Sequence, residues 1–375
     1  MNKVYIAGIS LSQFGKLESS LYELVISAIS RLREEHSLDE IDAVFVGSMA
    51  PAQFIGDGNL GPLIADWIGK SGLPAFCVDT ASSAGAAAFH TATQSVASDL
   101  FKDVLVIACE KMSDLPTPRI TAILAQVIDK KERIIGASMP SLAALVTKRY
   151  MYEYKMPYKA LMRVAIKNHS YGYYNSFAHF RKLITEKDIL DSRIVAEPLR
   201  LYDCSPISDG VACCILTSKK TDINVAGIGC GTDHIALRNR DSLTSFKATI
   251  LAAKQAFSMA SLGPADIDFA EIHDAFTSFE IISLEDLGFF EKGTAWQKTL
   301  DGATEKNGVL PVNISGGLKS RGHPVGTSGL AQIVEIAYQM RKQAGKRQLE
   351  KVNVALAHSI GGLASCNFVT ILCKS

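Results

Sequence analysis

Five segments recur in the same order at the two ends of this 375-residue chain, and that repeat constrains the fold more than any single motif. VYIAGIS at Val4 is echoed by INVAGIG at Ile223, and IDAVFVGSMA at Ile41 by IDFAEIHDAF at Ile267. SSAGAAAFHTATQSVAS at Ser82 matches HPVGTSGLAQIVEIAYQ at His323 in character, DVLVIACEKM at Asp103 pairs with VNVALAHSIGG at Val352, and VACCILTS at Val211 with CNFVTILC at Cys366. The third pair opens with small residues and continues as an amphipathic helix; the others are short apolar runs of strand length. The order predicts two similar α/β halves about a pseudo-twofold axis, residues 1–220 and 221–375. Their Ala- and Gly-bearing helices near 83–97 and 325–340 would pack closely against sheet or each other. An insertion at about 113–205, rich in Lys, Arg, Tyr and His, interrupts the first half. It suits a clamp for a nucleotide-like ligand and a solvated helical face equally well.

Composition narrows the functional classes. A chain 47% hydrophobic and 21% charged is a soluble globular protein, and 39 Lys+Arg against 38 Asp+Glu leave no bulk field to attract nucleic acid or an anionic membrane. No apolar run reaches the roughly 18 residues of a membrane span. The apolar VYIAGI near the N-terminus suits a first strand better than a signal-peptide core. None of the eight cysteines forms a CxxC pair and most sit in apolar runs, so neither a metal site nor a disulfide framework is expected, and the cytoplasm is the expected compartment.

Chemistry concentrates in turns after predicted strands: TASSAGAAAFH at Thr80, EIHDAF at Glu271, NISGGLKSRGHPVGTSG at Asn313 and AHSIGGLAS at Ala357. Turns at the carboxyl ends of strands in α/β folds can converge on one site. His323, between Gly322 and Pro324, has little backbone freedom, and a neutral imidazole there can donate a hydrogen bond to a developing oxyanion. A serine in TASSAG, by contrast, reads first as a helix N-cap. To act as a nucleophile it needs an adjacent general base.

On GGLKSRGHPVGTSG above all, with HDAF, SIGG, KNH, AHFRK and YDCSPISDG, the chain resembles from end to end the sterol-carrier-protein-type and archaeal acetyl-CoA acetyltransferase branch of the thiolase superfamily. The resemblance implies the thiolase fold, a five-layer αβαβα arrangement with an inserted loop domain. It implies an acyl-CoA C-acyltransferase of lipid metabolism that condenses or thiolyses 3-oxoacyl-CoA. Coenzyme A thioesters would be substrates, with no covalently bound cofactor. A homodimer or tetramer is implied, working with a small zinc-ribbon and OB-fold partner that handles acyl-CoA. By the same resemblance, His323 polarises the thioester carbonyl, His273 and Asp274 border that site, and His358 supports it. The backbone N–H groups of Ser82 and Gly361 form a second oxyanion hole.

The departures lie in the thiols. Ser82 stands where the family carries its nucleophilic cysteine, and Ala275 and Ser359 stand at the two places where a second, proton-handling cysteine is found. An engineered exchange at position 82 would leave Ala275 and Ser359 unexplained. The expectation is a thiolase-type acyltransferase of impaired or altered turnover. The alternatives are an aldolase acting on a CoA thioester, a non-catalytic acyl-CoA-binding scaffold, and serine acyl transfer assisted by His323, His273 or His358.

Overall fold

The computed structural model describes residues 2–375. Along the chain run β1 (Tyr5–Leu11), β2 (Ala43–Gly47), β3 (Ala75–Val78), β4 (Asp103–Glu110), a small hairpin β5 (Ile194–Ala196) and β6 (Leu199–Arg200), then β7 (Gly210–Thr217), β8 (Ile223–Thr232), β9 (Phe269–Ile272), β10 (Val354–Gly361) and β11 (Cys366–Lys374). All but the hairpin join one sheet in the order β3-β2-β4-β7-β1-β8-β11-β10-β9. Read outward from its middle, the sheet is a mirrored list. It runs β1-β7-β4-β2-β3 on one side and β8-β11-β10-β9 on the other, where Val312 adds a parallel bridge to Ala270 in the place of the missing fifth strand. The strand senses agree too, antiparallel for β1–β7, β4–β7, β8–β11 and β10–β11, parallel for β2–β4 and β9–β10. The five recurring segments of the sequence are therefore equivalent elements of two halves, which meet at the pairing of Tyr5 with Asn224.

Alternation along each strand builds the layers. On β4, Val104, Val106 and Ala108 face the core between the halves, whereas Leu105, Ile107 and Cys109 face the helix Leu21–Glu35 on the outside. On β10, Ala355 and Ala357 face that same central core, and Leu356 and Ile360 face the opposite outer layer. Helices Ala84–Ala97 and Ser328–Met340 fill the middle between the two wings of this one sheet, giving helix, sheet wing, helix, sheet wing, helix. Each fully buried Val, Leu or Ile there contributes about 1.5–3 kcal/mol by leaving water.

The small residues of the central helices serve close approach, as their sequence suggested. A Cβ placed on Gly329 would lie 2.8 Å from both the Ala86 nitrogen and Ser359 Oγ, and one on Gly85 would lie 2.7 Å from the Gly326 carbonyl. No side chain fits between them, so the two helix starts touch through backbone.

The insertion, although threaded into the first half, packs on the second. Leu142, Val146 and Tyr150 of the helix Met139–Tyr154, and Leu161 and Val164 of the helix Tyr158–Gly172, share a core with Phe276, Phe279, Ile282 and Leu356. The buried Lys167–Glu280 ion pair, 2.8 Å, ties it to the helix Thr277–Asp286. The KNH triplet is therefore a buried anchor beneath the second half's turns. Among the cysteines, Cys109, Cys213 and Cys214 are buried as their apolar runs predicted, but Cys77 is exposed on edge strand β3.

Candidate active site

The turn after β3 carries Ser82. Ala81 takes a left-handed conformation (φ 57°), which reverses the chain before the helix Ala84–Ala97. Ser83, fully buried, donates its hydroxyl proton to the Thr80 carbonyl at 2.8 Å, with the Cys366 carbonyl also in reach at 3.2 Å. Because that proton is committed, Thr80 Oγ1 donates to Ser83 Oγ at 2.9 Å. Neither serine caps a helix N–H, which differs from the N-cap expectation. Gly361 at the end of β10 lies directly against Thr80 O and Ser83 Oγ, so only glycine fits there, and positions 82 and 361 come together.

His323 enters from the other half. Gly322 before it has φ 115°, and a Cβ there would meet Ser208 Oγ at 2.9 Å; position and conformation both require glycine. The His323 backbone N–H donates to Ser208 Oγ at 3.2 Å, and its Nδ1 lies 2.7 Å from Ser328 Oγ. Ser328 Oγ is also 2.9 Å from the Pro324 carbonyl. With the hydroxyl proton on Pro324 O, Nδ1 carries the ring proton and Nε2 is an acceptor. With the hydroxyl turned onto Nδ1, Nε2 carries the proton and donates. Ser328 is thus a rotor that sets which chemistry the outer nitrogen can do. Burial, with help from the Arg321 charge, pushes the His323 pKa down to about 3, so the ring is neutral in either form.

His273 follows β9 and meets His323 edge to face, centroids 5.1 Å apart at 90°. It too is held neutral, by burial first and then by the neighbouring His323, His358 and Arg321. Its Nδ1 is buried without a hydrogen-bond partner. Asp274 points the other way. It accepts from the Leu318 N–H at 2.6 Å, the Lys319 N–H at 3.3 Å and Asn168 Nδ2 at 2.7 Å, and so fixes the first turn of Gly317–Arg321, the segment leading to His323. Burial, followed by the Glu280 charge, raises its pKa to about 6 despite these donors. Glu271 does similar work one turn away, accepting from Ser315 Oγ at 2.6 Å and its N–H at 3.1 Å, with the buried Arg321 at 3.5 Å.

Strand alternation separates the remaining pair. Ser359 faces the central helices beside Gly329, where its buried hydroxyl has no partner. His358 faces the outer layer, 3.0 Å from Thr249 Oγ1 on the helix Lys247–Ala260, and burial lowers its pKa to about 3. The hydrogen bonds made by the His323 and His358 rings go to Ser328 and Thr249, not to Ser82.

Sequence reasoning missed the groups that hold this arrangement. Glu110, at the end of β4, accepts from Ser48 Oγ (2.9 Å), the Met49 N–H (2.8 Å) and the Gly326 N–H (3.0 Å), latching the His323 loop to the first half. Burial raises its pKa to about 7 against those three donors. A charged residue closing an apolar run, as in VLVIACEKM, was the available signal. Asn168, Ser208 and Ser328 gave no comparable one.

Comparison with known proteins identifies the family. Residues 4–220 match the thiolase N-terminal domain, and residues 229–374 the thiolase C-terminal domain-like family. The chain belongs to the thiolase family. Like thiolases in general it has a large mixed sheet flanked and filled by helices. It is 37% identical to an acetyl-CoA acetyltransferase of Methanothermobacter thermautotrophicus over 100% of both chains. It is 28% identical to the Bos taurus sterol carrier protein 2 over 96% of this thiolase and 70% of that protein. Among solved structures, an Ltp2-ChsH2(DUF35) aldolase superposes with a TM-score of 0.85 at 22% identity, covering 99% of this chain and 98% of that one, which shows the shared fold.

Proposed function

We propose that this thiolase-family protein binds acyl-CoA between the Ser82–Gly361 turn and the His273–His323 pair, and carries out thiolase-type acyl transfer only slowly. The observation that carries this reading is the pair of neutral imidazoles, His273 and His323, on turns whose continuation at Gly326 and Gly329 packs against Gly85 and Ala86 at the start of the helix that follows Ser82, with no thiol at 82, 275 or 359. A thiolate would gain from the helix N-terminus; a serine hydroxyl, far less acidic, needs a base. With Ser328 bonded to Pro324, His323 Nε2 is free to act as one, at the cost of leaving the thioester carbonyl without its donor. One ring cannot do both at once.

Thiolysis of acetoacetyl-CoA by CoA, followed by loss of the enolate absorbance, tests the reading. The Ser82→Cys protein is expected to turn over at least about a hundredfold faster than the Ser82 protein, the scale on which nucleophile and acid–base groups act. Equal rates in the two refute it.

The absence of both thiols favours a second reading, retro-aldol cleavage of a β-hydroxyacyl-CoA, which needs enolate stabilisation but no acyl-enzyme. Under it, Ser82→Ala retains cleavage and Ser82→Cys gains no thiolysis. On family likeness we further infer a homodimer or tetramer in the cytoplasm and a small zinc-ribbon and OB-fold partner; sedimentation with and without such a partner tests both.

A further inference from the structure

The insertion holds a cavity of about 210 Å³ that the acyl-transfer reading does not use. Its mostly apolar lining includes Ile184, Tyr202 and Pro206, with Phe180 and Leu201 exposed at the rim. None of Ser82, His273, His323 or Ser359 lines it. Two polar groups do. Lys319 is 2% exposed, and its ammonium donates to the Cys204 carbonyl. Among the described residues no carboxylate lies within 4.0 Å of that nitrogen, although other buried lysines, such as Lys111 and Lys167, are paired. His169, equally buried, donates from Nδ1 to the Lys182 carbonyl at 3.2 Å, which leaves Nε2 as a bare acceptor without a partner.

A buried ammonium with one carbonyl partner is costly, because its remaining N–H groups are unpartnered and its charge is met only at longer range by Asp203 and Asp274. Beside an apolar cavity open at one side, the compensation can come from a ligand. The chemistry that fits is one anionic group able to take the two free N–H donors of the Lys319 ammonium, on a compact apolar body. We propose that this cavity binds a small organic carboxylate, its carboxylate against Lys319 and its apolar body between Phe180, Tyr202 and Leu201, at a site separate from the acyl-CoA centre. Lys319 precedes His323 by four residues, and Ile207, one residue beyond the Pro206 wall, bridges to His323.

Titration calorimetry on the Ser82 protein tests this with sodium benzoate as the probe and benzyl alcohol as its uncharged analogue. Benzoate is expected to bind at least about tenfold more tightly than benzyl alcohol, the worth of one charge-assisted hydrogen bond. Lys319→Met should abolish that preference. Leu201→Trp, which obstructs the rim from an exposed position and leaves Lys319 untouched, should abolish binding in a protein whose thermal melt is unchanged. Saturating CoA should leave the benzoate affinity as it was. No benzoate binding, equal affinity for the two probes, or binding that survives Leu201→Trp overturns the proposal and leaves Lys319 a staple for Cys204. Displacement by CoA overturns it also, by assigning the cavity to the acyl-CoA site.

Discussion

The helices Ala84–Ala97 and Ser328–Met340 are equivalents in the repeat, yet the turns that lead into them are built in different ways. The first, Thr80–Ser83, is held by hydroxyls and carbonyls, with Ser82 partly exposed. The second belongs to a stretch, 312–337, in which every residue is buried, and it is held by the carboxylates of Glu110, Glu271 and Asp274. Charge-assisted bonds in a dry setting are shorter and stronger than neutral ones. The histidine is thus fixed by a frame of buried carboxyl groups, whereas residue 82 sits on a turn of hydroxyls and carbonyls whose bonds do not pass through its own side chain. A change at 82 can alter the chemistry and leave the site standing.

The largest test of that contrast is His323→Ala in the Ser82→Cys protein. Turnover should fall by about 10²–10⁴-fold, the range for loss of an acid–base or oxyanion group, while CoA affinity stays within about twofold. The pH profile sharpens it. Because burial holds His323 near pKa 3 and His273 well below the usual histidine value, neither ring should produce an inflection between about pH 5 and 9. An acidic limb near pH 6.5 that disappears with His323→Asn would show the ring to be solvated. In stability the sign is fixed as well. A histidine whose folded pKa is depressed favours folding above its unfolded value, about 6.5, and that contribution is lost as pH falls from there towards 3.

Next in size is Gly329→Val, which places a branched side chain where even a Cβ would lie 2.8 Å from Ala86 and Ser359. Overpacking of this kind costs about 1–3 kcal/mol, read as a lower urea midpoint, against less than about 0.5 kcal/mol for Ser82→Cys. A comparable loss in both would mean that the first turn is as tightly built as the second. Glu110→Gln should cost about 1–3 kcal/mol at neutral pH, since one of three donors then faces an NH₂ group. It should also flatten the pH dependence. The native carboxyl, raised to about 7, favours folding below its unfolded value and loses that contribution as pH rises through 7; the amide has none to lose.

The repeat was legible because alternation and small-residue patterning are local, and each of its five segments became the element its pattern implied. The constrained turn that carries His323 was legible because Gly322 and Pro324 flank it. What could not be seen were the bonds that join distant segments. Glu110 and Gly326 are 216 positions apart, Ser208 and His323 115, and Asn168 and Asp274 106. Nor could a pattern tell that the insertion rests on the second half, since its apolar faces look alike whichever core they enter. His358 shows the finer limit. In AHSIGG it stands beside Ser359, but a strand turns neighbours to opposite faces, and its ring meets Thr249 on the outer layer.

The smallest expected effect bears most directly on residue 82. Ser83→Ala removes the donor to the Thr80 and Cys366 carbonyls and the acceptor for Thr80 Oγ1, in a turn that is only partly buried. Water can replace part of this, so the cost should be about 1 kcal/mol. Ser82→Ala, which removes none of these bonds, should change stability by less than about 0.5 kcal/mol. Paired urea titrations of the two variants separate the roles. The greater loss in Ser83→Ala makes Ser83 the turn's structural hydroxyl and leaves position 82 free for chemistry. The greater loss in Ser82→Ala would mean that this serine holds the turn itself, and the account of a neutral turn whose bonds bypass residue 82 would fail.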